Sequence, residues 1–413
     1  METASRYRWV ILGLALLCQS SGALAGQALA PLAPLFQSEL DLTNAEVGIF
    51  SSATYAGAWC VILIAGTLTD RFGIRRIMSA GQIVTGGFML TMASVSSLAQ
   101  AAAVMFAAGV SRGTIFPGST KAVMEWFPPA TRATAMGLKQ TGAPLAGVVA
   151  AATLPALGLA FGWRFAIATV GAVIIAIGLL TIALYRDHTV VDRRAEGRPS
   201  VKAGLKGVLR NRALWVLSSV AMLYVMAQQG LIMYLTLYLK EVVLAPTIPD
   251  EGTRIVAAGG YLATCQVGGM FGRVFWGIVS DRLLHGRRMG VLALVGFLSM
   301  LVALVVARLD SAWPLWLLAA ITFAAGATSV GWNGVYHAHI TETVGRTYAA
   351  TGVGFSLTLI EAGTTLGPPL FGFVTDLAGS FQTAWHFLAG LSAAGSFMAI
   401  LSAREKRHAA ATA

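Results

Sequence analysis

Apolar runs of about 20 residues recur twelve times along this chain, and they constrain its fold more than any other feature. The hydrocarbon core of a bilayer is about 30 Å thick, and a helix needs about 20 apolar residues to cross it. Of the 413 residues, 56% are hydrophobic and only 11% are charged, whereas a soluble domain carries about 25% charged residues. The sequence therefore predicts an all-α integral membrane protein and excludes a soluble enzyme.

The first predicted span needs a separate argument, because it follows Arg6 and Arg8 and contains Ala23-Leu24-Ala25. These features also fit a cleavable signal peptide. The apolar run continues to Phe36, which is too long for the hydrophobic region of such a peptide and favours a span. The twelve predicted transmembrane helices cover residues 8–36, 46–69, 77–97, 99–124, 132–159, 163–185, 213–239, 253–280, 288–308, 314–338, 346–375 and 383–403.

The net charge of +11 has its explanation in membrane topology. With the N-terminus inside, 22 of the 29 Lys and Arg residues fall on the inner side and 4 on the outer side. This asymmetry follows the positive-inside rule and predicts a multi-pass protein of the bacterial inner (plasma) membrane with both termini cytoplasmic. The basic residues form no patch on a globular face, so no nucleic-acid partner is predicted; the expected surroundings are the lipid bilayer.

The longest polar stretch, residues 186–212, holds eight basic and three acidic residues and divides the chain into two halves. We predict an N-terminal six-helix half at 1–185, a cytoplasmic linker at 186–212 and a C-terminal six-helix half at 213–413 with a short cytoplasmic tail. The three cysteines lie in apolar stretches without a pairing or metal-binding motif, and no nucleotide-binding loop is present. The sequence therefore predicts no metal, no cofactor and no catalytic residue.

Three features of the first half recur in the second. The loop after span 2 reads Gly-Thr-Leu-Thr-Asp-Arg-Phe-Gly-Ile-Arg-Arg over residues 66–76, and the loop after span 8 reads Gly-Ile-Val-Ser-Asp-Arg-Leu-Leu-His-Gly-Arg-Arg over residues 277–288. Their aspartates are 211 residues apart. Arg132 and Arg346 open the fifth span of each half, and Trp163 and Trp385 open the sixth. A duplicated six-helix unit is typical of secondary transporters.

The loop motif resembles the signature of the major facilitator superfamily, and the resemblance extends from span 1 to span 12. It implies two pseudo-symmetric six-helix halves and alternating access. It also implies a conformational latch on the cytoplasmic side, formed here by Gly66, Asp70, Arg71, Gly73, Arg75, Gly277, Asp281 and Arg282.

Spans 4 and 8 resemble the organic-anion, monocarboxylate and oxalate/formate branches of this superfamily. Those branches commonly have an arginine four residues before the first glycine of span 4. That position here is Met105, and the arginine of span 4 is instead Arg112, one residue before the second glycine. Arg273 precedes the loop aspartate as in monocarboxylate carriers, where the resemblance implies that it binds the substrate carboxylate. The position one turn earlier, where those carriers commonly have an aspartate, is Gly269.

A charge near the bilayer centre costs at least about 2.5–3.5 kcal/mol, so each one indicates a function. We predict that Arg112 and Arg273 bind substrate from opposite halves and that Glu361 carries a coupling proton. Each has a structural alternative: Arg112 could hold backbone carbonyls, Arg273 could contact the loop of Asp281, and Glu361 could form a fixed salt bridge. Polar side chains at similar depth complete the predicted substrate-binding set: Gln228, Gln266, Asn333 and Tyr224. Whether Lys139 and His337 face the cavity is left open.

The predicted function is secondary active transport of a small organic anion, a carboxylate, by a monomer that uses proton coupling or exchange. One alternative is a proton-coupled exporter of cationic or amphiphilic drug-like compounds. A second is a transporter-like membrane sensor that binds its ligand without moving it. The sequence does not specify the substrate, the direction of transport or the coupling ion.

Overall fold

The computed structural model describes residues 2–187, 209–284, 286–344 and 349–411. Within these ranges the chain forms sixteen α-helices and no β-strand. The helices are α1 Glu2–Gln27, α2 Leu29–Leu40, α3 Asn44–Phe72, α4 Ile74–Thr91, α5 Leu98–Arg112, α6 Ile115–Trp126, α7 Pro129–Gln140, α8 Gly142–Phe161, α9 Trp163–Leu184, α10 Arg212–Tyr238, α11 Glu251–Ile278, α12 Arg288–Val306, α13 Leu315–Ser329, α14 Asn333–Val344, α15 Ala349–Ala378 and α16 Phe381–Ala411. Short π-helical turns at Leu239–Val243 and Val279–Leu283 extend α10 and α11.

The predicted all-helical membrane fold is confirmed. Nine helical segments in the described parts of the chain are long and apolar enough to cross a membrane. The other three predicted spans correspond to α3, α4 and α15. Arg346, which marks the repeat in the second half, lies outside the described residues.

Four predicted spans are each divided into two helices, a feature that the apolar pattern alone does not predict. Proline lacks the N–H that would bond to the carbonyl four residues earlier. Pro117 stands four residues after Gly113, where α5 gives way to α6, and Pro144 stands four residues after Gln140, where α7 ends. Pro31 has the same relation to the break between α1 and α2. These three breaks therefore lie where a proline removes a helical hydrogen bond.

The helices form two compact units. The first comprises residues 1–42 and 49–193, and the second comprises residues 43–48 and 194–413. In the first unit α4 packs along α9, while α1 packs against α8 and α6. In the second unit α12 packs along α16, α11 along α13, and α10 along α15.

Glycines bring the second and fourth spans of each unit into backbone contact. A Cβ atom at Gly57 in α3 or at Gly109 in α5 would overlap a backbone carbonyl of the facing helix. The same holds for Gly268 in α11 and Gly326 in α13. Small residues allow this close approach, which stabilises membrane helix pairs through van der Waals contact. Gly57 and Gly268 are 211 residues apart, the same separation as the two loop aspartates.

Candidate functional site

Arg112 lies in the last turn of α5, immediately before the break that Pro117 produces. Its Nη1 donates to the backbone carbonyl of Gly22 at 3.3 Å, and its guanidinium carbon lies 4.9 Å from the centre of the Tyr55 ring. Among the described residues no carboxylate lies within ion-pair distance of this guanidinium. The structure thus places the predicted cation beside α1 and α3 without a counter-charge from the described chain.

Lys139 occupies the equivalent position in the next span, the last turn of α7. Its side chain is fully buried. Nζ donates to Thr120 Oγ1 at 2.7 Å and lies 4.3 Å from the centre of the Phe116 ring. Lys139 therefore lies inside the first unit, against α6. His337, in α14 of the second unit, is exposed and packs beside Tyr336.

In the second unit the structure brings together two of the predicted binding residues, Gln228 and Asn333. The Gln228 carbonyl oxygen accepts from Asn333 Nδ2 at 3.0 Å and from Trp332 Nε1 at 3.1 Å. Asn333 begins α14, directly after the break at residues 330–332, and its Nδ2 also donates to the carbonyl of Val330. The unwound segment thus orients an amide pair between α10 and α14.

Arg273 lies on α11, facing the same part of the fourth span of this unit. Its backbone carbonyl is so close to Gly334 that a Cβ atom there would lie 2.6 Å from it. Arg273 Nε has no hydrogen-bond partner, and no carboxylate of the described chain pairs with this guanidinium. Gln266, two turns earlier on α11, is buried. The placement leaves Arg273 with an unused donor next to the Asn333 segment.

Two further predicted residues of this unit are Tyr224, which contacts Trp332, and Glu361. The Tyr224 hydroxyl donates to the carbonyl of Leu292 at 2.8 Å, and the ring packs edge-on against Trp332. Tyr224 is buried, so its hydroxyl fastens α10 to α12, and its role in substrate binding stays a prediction. Glu361 lies midway along α15 and is half-buried.

The loop after α3 uses some of its predicted latch residues to fasten α4 to the end of α9. Gly73 has a φ of 87°, a conformation that favours glycine, and it lies against the Asp187 carboxylate. The backbone N–H of Arg75 donates to Asp187 Oδ1 at 3.1 Å, and its Nε donates to the carbonyl of Ile182. Arg71 covers the Phe72 ring. Gly66 and the side chain of Asp70 lie outside what the structure describes.

The corresponding loop of the second unit contains an ion-pair cluster that sequence reasoning missed. Arg288 pairs with Asp281 at 3.0 Å and with Glu342, at the end of α14, at 2.8 Å. Of the three predicted latch residues in this loop, only Asp281 belongs to the ion-pair cluster. The side chain of Arg282 is exposed, and Gly277 has no neighbouring atom at the position of a Cβ. The repeated Arg-Arg pair of the loop was the available signal for Arg288, but nothing in the sequence pattern indicated Glu342.

The described residues contain no group of three side chains suited to holding a metal ion. The arrangement offers cations and amides within membrane-spanning helices, which is the chemistry of anion binding. It offers no arrangement for covalent catalysis.

Comparisons with known proteins find curated relatives that are membrane transporters by name. A curated relative named "Probable sulfoacetate transporter", from Cupriavidus necator, is 24% identical over 97% of this chain and 95% of its own length. The hexuronate transporter of Bacillus subtilis is 23% identical over 90% of this chain and 89% of its own length.

The fold is also that of solved transporters. The crystal structure of the nucleoside transporter NupG matches 95% of this chain and 99% of its own with a TM-score of 0.77 and 16% sequence identity. Finally, the family model described as "Major Facilitator Superfamily" matches residues 15–360. With its twelve spans, its repeated loop and this match, the chain belongs to the major facilitator superfamily and is a membrane transporter, not an enzyme.

Proposed function

We propose that this protein carries a small organic anion with a carboxylate group across the bacterial plasma membrane by alternating access, coupled to protons. The observation that carries the proposal is the presence of one arginine in each unit, Arg112 and Arg273, with no ion-pair partner among the described residues. A guanidinium in a membrane span is costly unless an anion compensates it. The substrate would supply that anion.

The chemistry of the two sites supports a carboxylate in particular. A guanidinium donates two parallel hydrogen bonds to the two oxygens of a carboxylate, which gives both strength and orientation. Arg273 has an unused Nε donor, and the Gln228–Asn333 amide pair lies on helices of the same unit. Amides of this kind recognise hydroxyl or carbonyl groups elsewhere on a substrate.

The two curated relatives also support an organic acid, since their names specify sulfoacetate and hexuronate. Both alignments cover about nine-tenths or more of this chain, so they include both units. The proton is assigned to Glu361, the acidic side chain midway along α15. We place both termini in the cytoplasm on the basis of the charge asymmetry of the loops.

Counterflow in proteoliposomes tests the proposal. Purified protein is reconstituted with unlabelled sulfoacetate, D-glucuronate, D-glucarate or succinate inside, and uptake of the same labelled anion is measured. Accumulation of at least one anion above protein-free liposomes supports the proposal. Binding without counterflow would favour a sensor, and counterflow of a cationic dye with none of these anions would favour a drug exporter; either result contradicts anion transport.

A further inference from the structure

Lys139 is a buried cation that the proposed function does not use. It lies in the last turn of α7, where the break before Gly142 ends the helix. None of its side-chain surface is exposed. Its contacts are one hydroxyl, Thr120 Oγ1 at 2.7 Å, and the face of the Phe116 ring at 4.3 Å.

These two contacts do not neutralise the charge. An ammonium group has three N–H donors, and a single hydroxyl accepts one of them. A cation over an aromatic face gains about 0.5–2 kcal/mol, less than the several kcal/mol that burial of an unpaired ion costs. Two other lysines of the chain have carboxylate partners: Lys121 pairs with Glu125, and Lys240 pairs with Glu251. No such pair is formed by Lys139 within the described chain.

Lys139 and Arg112 lie in successive spans of the same unit, and both spans contact α1. The Phe116 ring beneath Lys139 belongs to the same span as Arg112. Arg112 donates to Gly22 of α1. Gly142, three residues after Lys139, lies against Leu16 and Ser20 of the same helix. The contacts of both cations are therefore made within one unit and beside one helix.

The formal charges of the first unit indicate what a substrate would supply there. Arg112 and Lys139 contribute two positive charges, and neither pairs with a carboxylate among the described residues. A singly charged substrate would leave one of these cations without a counter-charge in a medium of low dielectric constant, whereas a doubly charged substrate would provide one for each.

Resting on the proposed function, we propose that Lys139 binds a second anionic group, so that the preferred substrates are dianions such as dicarboxylates or sulfonate-carboxylates. Arg112 provides a planar two-point site, while the ammonium of Lys139 provides a point charge that binds a carboxylate or a sulfonate in several orientations. On substrate arrival the second anionic group would pair with Nζ beside Thr120.

The test compares affinities for matched pairs of anions by isothermal titration calorimetry on the purified full-length protein. The pairs are D-glucarate with D-gluconate, and succinate with succinamate, which differ by one charge. We expect the wild type to bind at least one dianion about tenfold or more tightly than its monoanionic counterpart. Wild-type preference for the monoanions would overturn the proposal without any variant.

Three variants assign the preference to the side chain. In Lys139→Met the dianion affinity should fall about tenfold, with the monoanion affinity unchanged within about threefold. Lys139→Arg should retain most of the preference. Lys121→Met, at the paired lysine, is the matched control and should change neither affinity.

The remaining outcomes separate this inference from the proposed function. If Lys139→Met lowers both affinities equally, or lowers only the unfolding temperature, the lysine is structural and the inference is wrong while anion transport stands. If Lys139→Met does not fold, Lys139→Gln, whose amide can still donate to Thr120, replaces it with the same expected loss of dianion preference. If the wild type binds none of the four anions and shows no counterflow, the proposed function and this inference both fail.

Discussion

At the scale of single residues, the chain uses arginine and lysine for different tasks. Arg112 and Arg273 lie in different units, and each presents a planar fork, while Lys139 presents a compact charge. The fork matches the two oxygens of a carboxylate at fixed angles, whereas an ammonium makes one hydrogen bond per direction. Replacing one by the other keeps the charge and changes only the geometry.

Arg273→Lys isolates this geometric contribution. We expect substrate affinity to fall at least about tenfold, because one of two charge-assisted hydrogen bonds is lost. The thermal unfolding midpoint in detergent should stay close to the wild-type value, since Arg273 makes no ion pair with described residues. Affinity is measured by calorimetry for the best anion of the counterflow panel, with Arg308→Lys, at an exposed position, as the control. Normal binding by the lysine variant would exclude the carboxylate fork.

At the scale of helices, two prolines are associated with the helix ends at which Arg112 and Lys139 lie. Pro117 and Pro144 end α5 and α7 just after Arg112 and Lys139. A helix break at membrane depth is tolerated where protein surrounds it, and transporters commonly place binding groups at such breaks. Pro155 lies inside α8 without interrupting it, so the position of each proline relative to its neighbours also matters.

Pro117→Ala restores the N–H that could bond to the Gly113 carbonyl. We expect α5 and α6 to join into one helix, which would shift Arg112 relative to Gly22 and weaken anion binding severalfold. Helix stability should rise or stay unchanged, because a hydrogen bond is regained. Affinity and unfolding temperature are measured together, and Pro155→Ala is the matched control with unchanged affinity. Unaltered affinity in Pro117→Ala would show that the break does not position Arg112.

The cluster of Arg288, Asp281 and Glu342 also belongs to this scale, since it joins α12, the turn after α11 and the end of α14. Hydrogen bonds from Arg288 hold the pKa of Glu342 below its ordinary value of 4.5. A carboxyl group with a lowered pKa stabilises the folded state above pH 4.5 and loses that contribution as the pH falls through its folded pKa. The Arg288–Glu342 pair is therefore intact throughout the pH range of a transport assay.

Arg288→Gln removes both ion pairs. Glu342 is 52% exposed, so the loss of stability should not exceed about 1 kcal/mol. If the cluster biases the conformational equilibrium, the transport rate should change severalfold, with substrate affinity within about threefold of the wild type. Initial counterflow rates and calorimetric affinities are compared, with Arg308→Gln, at an exposed position outside the cluster, as the control. A loss of affinity equal to the loss of rate would place Arg288 in substrate binding.

Sequence alone predicted the helical elements better than their joints. Apolar length fixes a span, because the bilayer imposes the same thickness on every helix. Three of the four breaks lie where a proline has no N–H to donate to the carbonyl four residues earlier. A hydropathy profile contains no information on such missing hydrogen bonds. The pairing of Gln228 with Asn333 across α10 and α14 could not be predicted either, since the two residues are 105 positions apart and only packing brings them together. Polarity within the membrane predicts a role in substrate binding for both residues, and that role stays a prediction.

At the scale of the whole molecule, the charges inside the spans are expected to link proton uptake to anion uptake. Three cations and one carboxylate leave a net positive charge before substrate binds. Protonation of Glu361 would increase that charge by one, so proton uptake and anion uptake favour each other on electrostatic grounds. This mutual dependence is a coupling free energy, and it acts equally in both directions.

Glu361→Gln fixes the site in a form that mimics the protonated carboxyl group. An exchanger moves one substrate in each direction without net proton movement, so exchange of labelled for unlabelled anion should persist in this variant. Accumulation driven by an inward proton gradient should be lost, because no proton can leave or enter the amide. Both activities are measured in the same proteoliposome batch, with external pH as the only variable and Asp310→Asn, at an exposed position, as the control. Preserved pH-driven accumulation would remove Glu361 from the proton path. Loss of both activities would instead indicate that Glu361 forms a fixed salt bridge on which the carrier's structure depends.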